Sequence, residues 1–135
     1  MLRILSFALA VTLLVSCDKN ESESTTYELG TAFTMHVGDT RLCNCDAPAI
    51  TLDSIVSDSR CPDGAQCIWE GEATVQLQMG EETLLLSTHV WQEGAQTTDT
   101  LGNFIYTLVE VLPYPTVNVP IPVADYEVEL RVEAL

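Results

Sequence analysis

Basic residues are scarce in this chain. Five Lys and Arg stand against 20 Asp and Glu in 135 residues, a formal charge of −15. A surface this acidic repels phosphate backbones and anionic lipid head groups, which excludes nucleic acid as a partner. Histidine occurs twice, and neither copy belongs to an H-E-x-x-H pattern. G-x-S-x-G and P-loop strings are also missing. The sequence shows no catalytic residues and no cofactor motif, so the chain is read as non-enzymatic. No apolar run reaches the roughly 20 residues of a spanning helix. Past the N-terminal segment, no long window keeps a 3.6-residue period. There is no internal repeat. Apolar residues still make up 47%, which separates the chain from disordered acidic tails and allows one modest core.

The N-terminal segment has three parts. Arg3 is its single charge, Ile4 to Val15 is an almost unbroken apolar run, and Leu14-Val15-Ser16-Cys17 closes it. The run fits a secretory h-region. The last four residues resemble a bacterial lipobox, which implies acylation of the Cys17 sulfur, cleavage before it and anchorage in a membrane. Residues 1–16 are then a lipoprotein signal peptide. Residues 17–29 are the lipidated Cys and a polar tether rich in Ser, Thr and Glu, and residues 30–135 a β-domain. Arg3 is the only charge lost with the leader, so the mature chain is one unit more negative than the precursor. The expected location is the bacterial cell envelope, on the outer membrane, with the side left open.

From about Thr31 the pattern has period 2. Phe33, Met35 and Val37 alternate with Thr34 and His36; Ile50, Leu52 and Val56 with Thr51, Asp53 and Ser57; Ala73, Val75, Leu77 and Met79 with Thr74, Gln76 and Gln78; Tyr126, Val128, Leu130 and Val132 with Glu127, Glu129, Arg131 and Glu133. Such alternation marks half-buried strands. Gly38-Asp39, Gly80-Glu81 and Gly102-Asn103 sit between runs, and Gly supplies the positive φ of a type II′ hairpin turn. Three hairpins are predicted: 31–37 with 40–43, 73–79 with 82–90, and 96–101 with 104–112. Strands at 49–57 and 125–134 complete an all-β fold. It is an antiparallel sandwich or a small barrel of about seven or eight strands, expected as a monomer. Leu84-Leu85-Leu86 and 104–112 are apolar on both faces and are placed centrally. The acidic C-terminal strand is read as a charged edge. The prolines at 113, 115, 120 and 122 make 113–124 an extended loop.

With Cys17 assigned to lipid, Cys43, Cys45, Cys61 and Cys67 remain. Disulfides are the default for an exported chain. The loop from Cys61 to Cys67 holds Pro62 and Gly64 and suits local closure. Cys43 and Cys45 are left as a second bridge across one residue, as partners of 61 and 67, or as a free dithiol. A dithiol with Met35, His36, Met79 and His89 would be a soft copper site, but the methionines fit the core alternation and His36 the wet face. Asp58, Asp63, Glu70 and Glu72 form a local acidic group without the run of a calcium loop. No metal is assigned.

Asp58-Ser59-Arg60-Cys61-Pro62, four residues to Cys67, then Trp69 and Gly71, is the most specific string in the chain. It resembles the D-S-R-C-P-x4-C-x-W-x-G signature of an uncharacterised family of small secreted or lipid-anchored bacterial domains. Weaker similarity spans about residues 30–135, and Cys43-Asn44-Cys45 lies outside the signature. The string reads as a rigid plug in which Trp69 stacks on the Arg60 guanidinium. It also reads as a presented loop with Arg60 and Trp69 as contacts. The functional expectation is a lipid-anchored, non-enzymatic binding module for an envelope protein or glycan. Its alternatives are periplasmic copper handling and inhibition of a hydrolase.

Overall fold

A computed structural model describes residues 25–89 and 96–135. The leader, Cys17 and the first part of the tether lie outside the described residues. Among the described residues nine strands form: β1 (Thr26–Tyr27), β2 (Ala32–Met35), β3 (Thr40–Cys43), β4 (Ile50–Asp58), β5 (Ala73–Met79), β6 (Glu82–Ser87), β7 (Thr98–Leu101), β8 (Phe104–Leu112) and β9 (Glu127–Ala134). A 3-10 turn, Val123–Asp125, precedes β9. The strands make a five-stranded sheet, β1-β3-β4-β5-β6, and a four-stranded sheet, β2-β9-β8-β7. The fold is an all-β sandwich, and among the described residues the sheets do not close into a barrel.

Period-2 alternation places one face of each sheet inward. Met35, Ile50, Leu52, Val75, Leu77, Leu86, Tyr106, Val111, Val128, Leu130 and Val132 are almost wholly buried between the layers. Two of the predicted hairpins form, β5–β6 and β7–β8. In both, Gly80 or Gly102 takes a positive φ and the next residue does not, as a type II′ turn requires.

The third does not form. β2 pairs with β9 in one sheet, and β3 pairs with β4 in the other. Gly38-Asp39 is a corner between layers, held by Asp39, whose Oδ2 accepts the His36 N–H at 2.9 Å. The Gly38 N–H is donated across to the Leu52 carbonyl. Three further expectations are corrected. The β-structure starts before residue 30, because Tyr27 pairs with Cys43, is buried, and stacks on Phe33. β6 is an edge strand, and in a two-layer sandwich its leucine run is covered on one face only, with Leu84 and Leu86 buried and Leu85 37% exposed. β9 lies between β2 and β8 and is not an edge; its acids line the outer face of an interior strand.

β4 also departs from simple alternation. Its register against β5 shifts between Leu52 and Ser54 and again between Ile55 and Ser57. A bulge moves every later side chain to the other face. The first shift brings Ile55 inward and leaves Val56, expected inside, half exposed. The second restores the original parity, so Asp58 sits opposite the buried Ala73.

Candidate functional site

Asp58, returned to the inner side by the second bulge, begins a cluster that joins the two sheets. Its Oδ1 accepts from Arg60 Nε at 2.8 Å and its Oδ2 from Arg60 Nη2 at 2.6 Å. This is the two-pronged carboxylate–guanidinium fit. The rest of the guanidinium crosses to the other layer. Nη1 donates to the Val111 carbonyl and Nη2 to the Pro113 carbonyl. The β8 bulge after Leu108 places Val111 inward at this point. Tyr126, just ahead of β9, donates its hydroxyl to Asp58 Oδ2 at 2.9 Å.

Arg60 is thus buried, at 8% exposure, and its charge is matched on all sides. Burial pushes the Asp58 carboxyl up. The hydrogen bonds from Arg60 and Tyr126 and the adjacent positive charge outweigh that and leave it below its ordinary value.

The aromatic partner of Arg60 is Tyr114, whose ring centroid lies 5.2 Å from the guanidinium carbon. It is not Trp69, which is 72% exposed. Closeness in sequence suggested Trp69; the cross-layer approach of residues 111–114 supplies Tyr114 instead. The carboxylate partner of Arg60 is Asp58.

The loop that follows is stitched at several levels. Cys61 and Cys67 are bridged. The Ser59 and Cys61 amides donate to the Glu72 and Glu70 carbonyls, and Ser59 Oγ accepts from the Glu72 amide. Asp63 exchanges backbone bonds with residues 115 and 117. Gly71 takes φ +67°, and a Cβ there would fall 1.8 Å from the Ser59 carbonyl oxygen. Only glycine lets the two legs of the loop approach so closely.

Nearly every residue of the motif is therefore accounted for by a bond inside the domain. The exceptions are at the tip. Ile68 is 92% exposed and Trp69 72%. Next to them Glu70 and Gly71, with Arg60, Thr88, Val109 and Tyr114, line an open cleft of about 380 Å³.

The other sequence candidates fall elsewhere. Cys43 and Cys45 are bridged to each other at the end of β3. Met35 and Met79 are core residues. His36 stands 3.7 Å from Asp39 and 3.8 Å from Glu127, and His89 3.8 Å from Glu70. Asp58 faces Arg60, and Glu72 accepts the Ser87 hydroxyl, so the acidic group of the motif region does not converge. Among the described residues no three His, Cys, Asp or Glu side chains gather as metal ligands.

Sequence reasoning did not find Arg41, buried beside Asp39 with Nη2 donating to the Thr34 carbonyl. Simple alternation points the other way, placing Leu42 inside and Arg41 outside, whereas Leu42 is half exposed and Arg41 is buried. Comparison with protein-family models, curated proteins and solved structures finds no match. The resemblance noted above therefore rests on the motif residues alone.

Proposed function

We propose that the chain is a lipid-anchored, non-enzymatic binding domain of the bacterial cell envelope, and that its contact surface is the Ile68–Trp69 tip. The observation that carries this is the division of labour in the motif. Its other residues hold the loop in place, while two large apolar side chains stand in water. Isolated exposed leucines are common on any protein. A tryptophan on a loop braced by a disulfide and a buried ion pair is different, because its ordering cost is already met before a partner arrives. The anchor is supported by the lipobox-like string at Cys17, and the partner class is an envelope protein or glycan.

The test uses full-length protein in detergent as bait for solubilised envelope, comparing wild type with Trp69→Ala. Binding should weaken by about 30-fold or more, the size of a central aromatic contact, with the melting temperature unchanged. Equal retention by both forms refutes the tip as the contact. Cys17→Ala should abolish acyl labelling and leave uncleaved precursor.

Inhibition of a hydrolase is a second reading, favoured by the pinning of the loop at its disulfide and along residues 115–117. Assays of envelope proteases and lysozymes with and without the protein separate it from simple adhesion.

A further inference from the structure

We infer that the Cys43–Cys45 disulfide is a thiol–disulfide exchange site that accepts two electrons from a neutral or cationic protein dithiol. The inference is independent of the loop-tip reading.

The two bridges of this protein differ in what they hold. Cys61–Cys67 closes a loop whose legs and flank are tied into both layers. Cys43–Cys45 joins residues two apart and connects no two strands. Other bonds hold the surrounding fold: β1 pairs with β3, and the Tyr27 hydroxyl donates to the Pro48 carbonyl at 3.0 Å. The two residues also differ in access. Cys43, the last residue of β3, packs against the core, whereas Cys45 is exposed in the following turn. Exposed bridges that carry no structural load are the labile ones. A cleft of about 310 Å³ lined by Tyr27, Glu28, Leu29 and Asn44 opens beside the two cysteines. A peptide thiol has room to enter there.

The reaction balances within the pair and its partner. A partner thiolate attacks the sulfur of the exposed Cys45, forming a mixed disulfide. The Cys43–Cys45 bond breaks, and Cys43 leaves as a thiolate that takes up a proton. The partner's second thiolate then attacks its own sulfur in the mixed disulfide, forming the partner's disulfide and releasing Cys45. The partner loses two electrons, and Cys43 and Cys45 gain them. Glu28 in the cleft, Asp46 next in sequence and the −15 charge of the chain disfavour anionic thiols.

The experiment treats native full-length protein in detergent with graded dithiothreitol, followed by alkylation and peptide mapping. Cys43 and Cys45 should be labelled together at a reductant concentration at least about 10-fold below that opening Cys61–Cys67, with the β circular-dichroism signal retained. A reduced cationic peptide with two cysteines should then yield one peptide disulfide and two labelled thiols per protein. An anionic peptide of the same spacing should react about 5-fold slower at low salt, and the gap should shrink as salt is added.

Cys43→Ser/Cys45→Ser should be inert. If that variant fails to fold, wild type alkylated at both positions after selective reduction replaces it. Opening of Cys61–Cys67 first, loss of the fold on reduction of Cys43–Cys45, or an unoxidised peptide overturns the assignment.

Discussion

Arg60 ties the two layers together, joining the end of β4 to residues 111 and 113 of the opposite layer. Removing one member of a buried ion pair leaves the other charge stranded, at a cost of about 3–5 kcal/mol. Arg60→Met should therefore lower the unfolding free energy by that amount in a denaturant titration. Trp69→Ala should change it by less than about 0.5 kcal/mol, as for surface substitutions generally. The glycines give a second contrast. Gly64→Ala meets only the Val117 side chain at 3.8 Å, so its cost is the left-handed backbone alone, about 1–2 kcal/mol. Gly71→Ala adds a collision with the Ser59 backbone and should cost clearly more, or prevent folding altogether.

Period-2 alternation along β6 separates three consecutive leucines. Leu86 is fully buried, and Leu86→Ala should cost about 2–5 kcal/mol in thermal or denaturant unfolding. Leu85, on the outer face of the same strand, should tolerate Lys with a change below about 1 kcal/mol. From the sequence both looked alike, because a continuous apolar run does not say which face is covered. The same limit explains the other misplacements. The β5–β6 and β7–β8 hairpins could be read because a two-residue Gly turn and its flanking strands are local. The partner of β2 could not, since β9 lies at the far end of the chain. The acids of β9 would look the same on an edge or an interior strand, as only their outward direction is encoded. Within the motif, the Cys61–Cys67 loop was legible from its spacing. The partners of Arg60 at 111, 113, 114 and 126 come from the other layer and leave no local trace.

The molecule as a whole carries opposing responses to pH and salt. At neutral pH the −15 charge repels itself, so added salt should raise the melting temperature through screening. On the acid side, Asp58 is held below its ordinary value in the folded state. Its contribution is fully present above the unfolded carboxylate pKa of about 3.9 and is lost as pH falls through the lower folded value. Asp58→Asn should flatten that limb in a series of melts across the acid range. On the alkaline side, burial, helped by nearby Tyr106, pushes the Tyr27 phenol up to about 12. Its contribution is present below the unfolded value of about 10 and declines as pH rises towards 12. Tyr27→Phe should remove part of that decline.

Tyr27 belongs to the shortest strand, and its position has a mechanical consequence. The chain enters the sandwich through β1, which is held to β3 by a two-residue parallel ladder. A pull on the N-terminal side loads Thr26 and Tyr27 before any other strand. That ladder would peel first and free a few residues on that side. The Arg60 cross-link between the layers, at the far end of β4, has several bonds to break and would hold while that ladder peels. β1 is in this sense a weak link in series with the domain, one that gives way under tension and spares the rest.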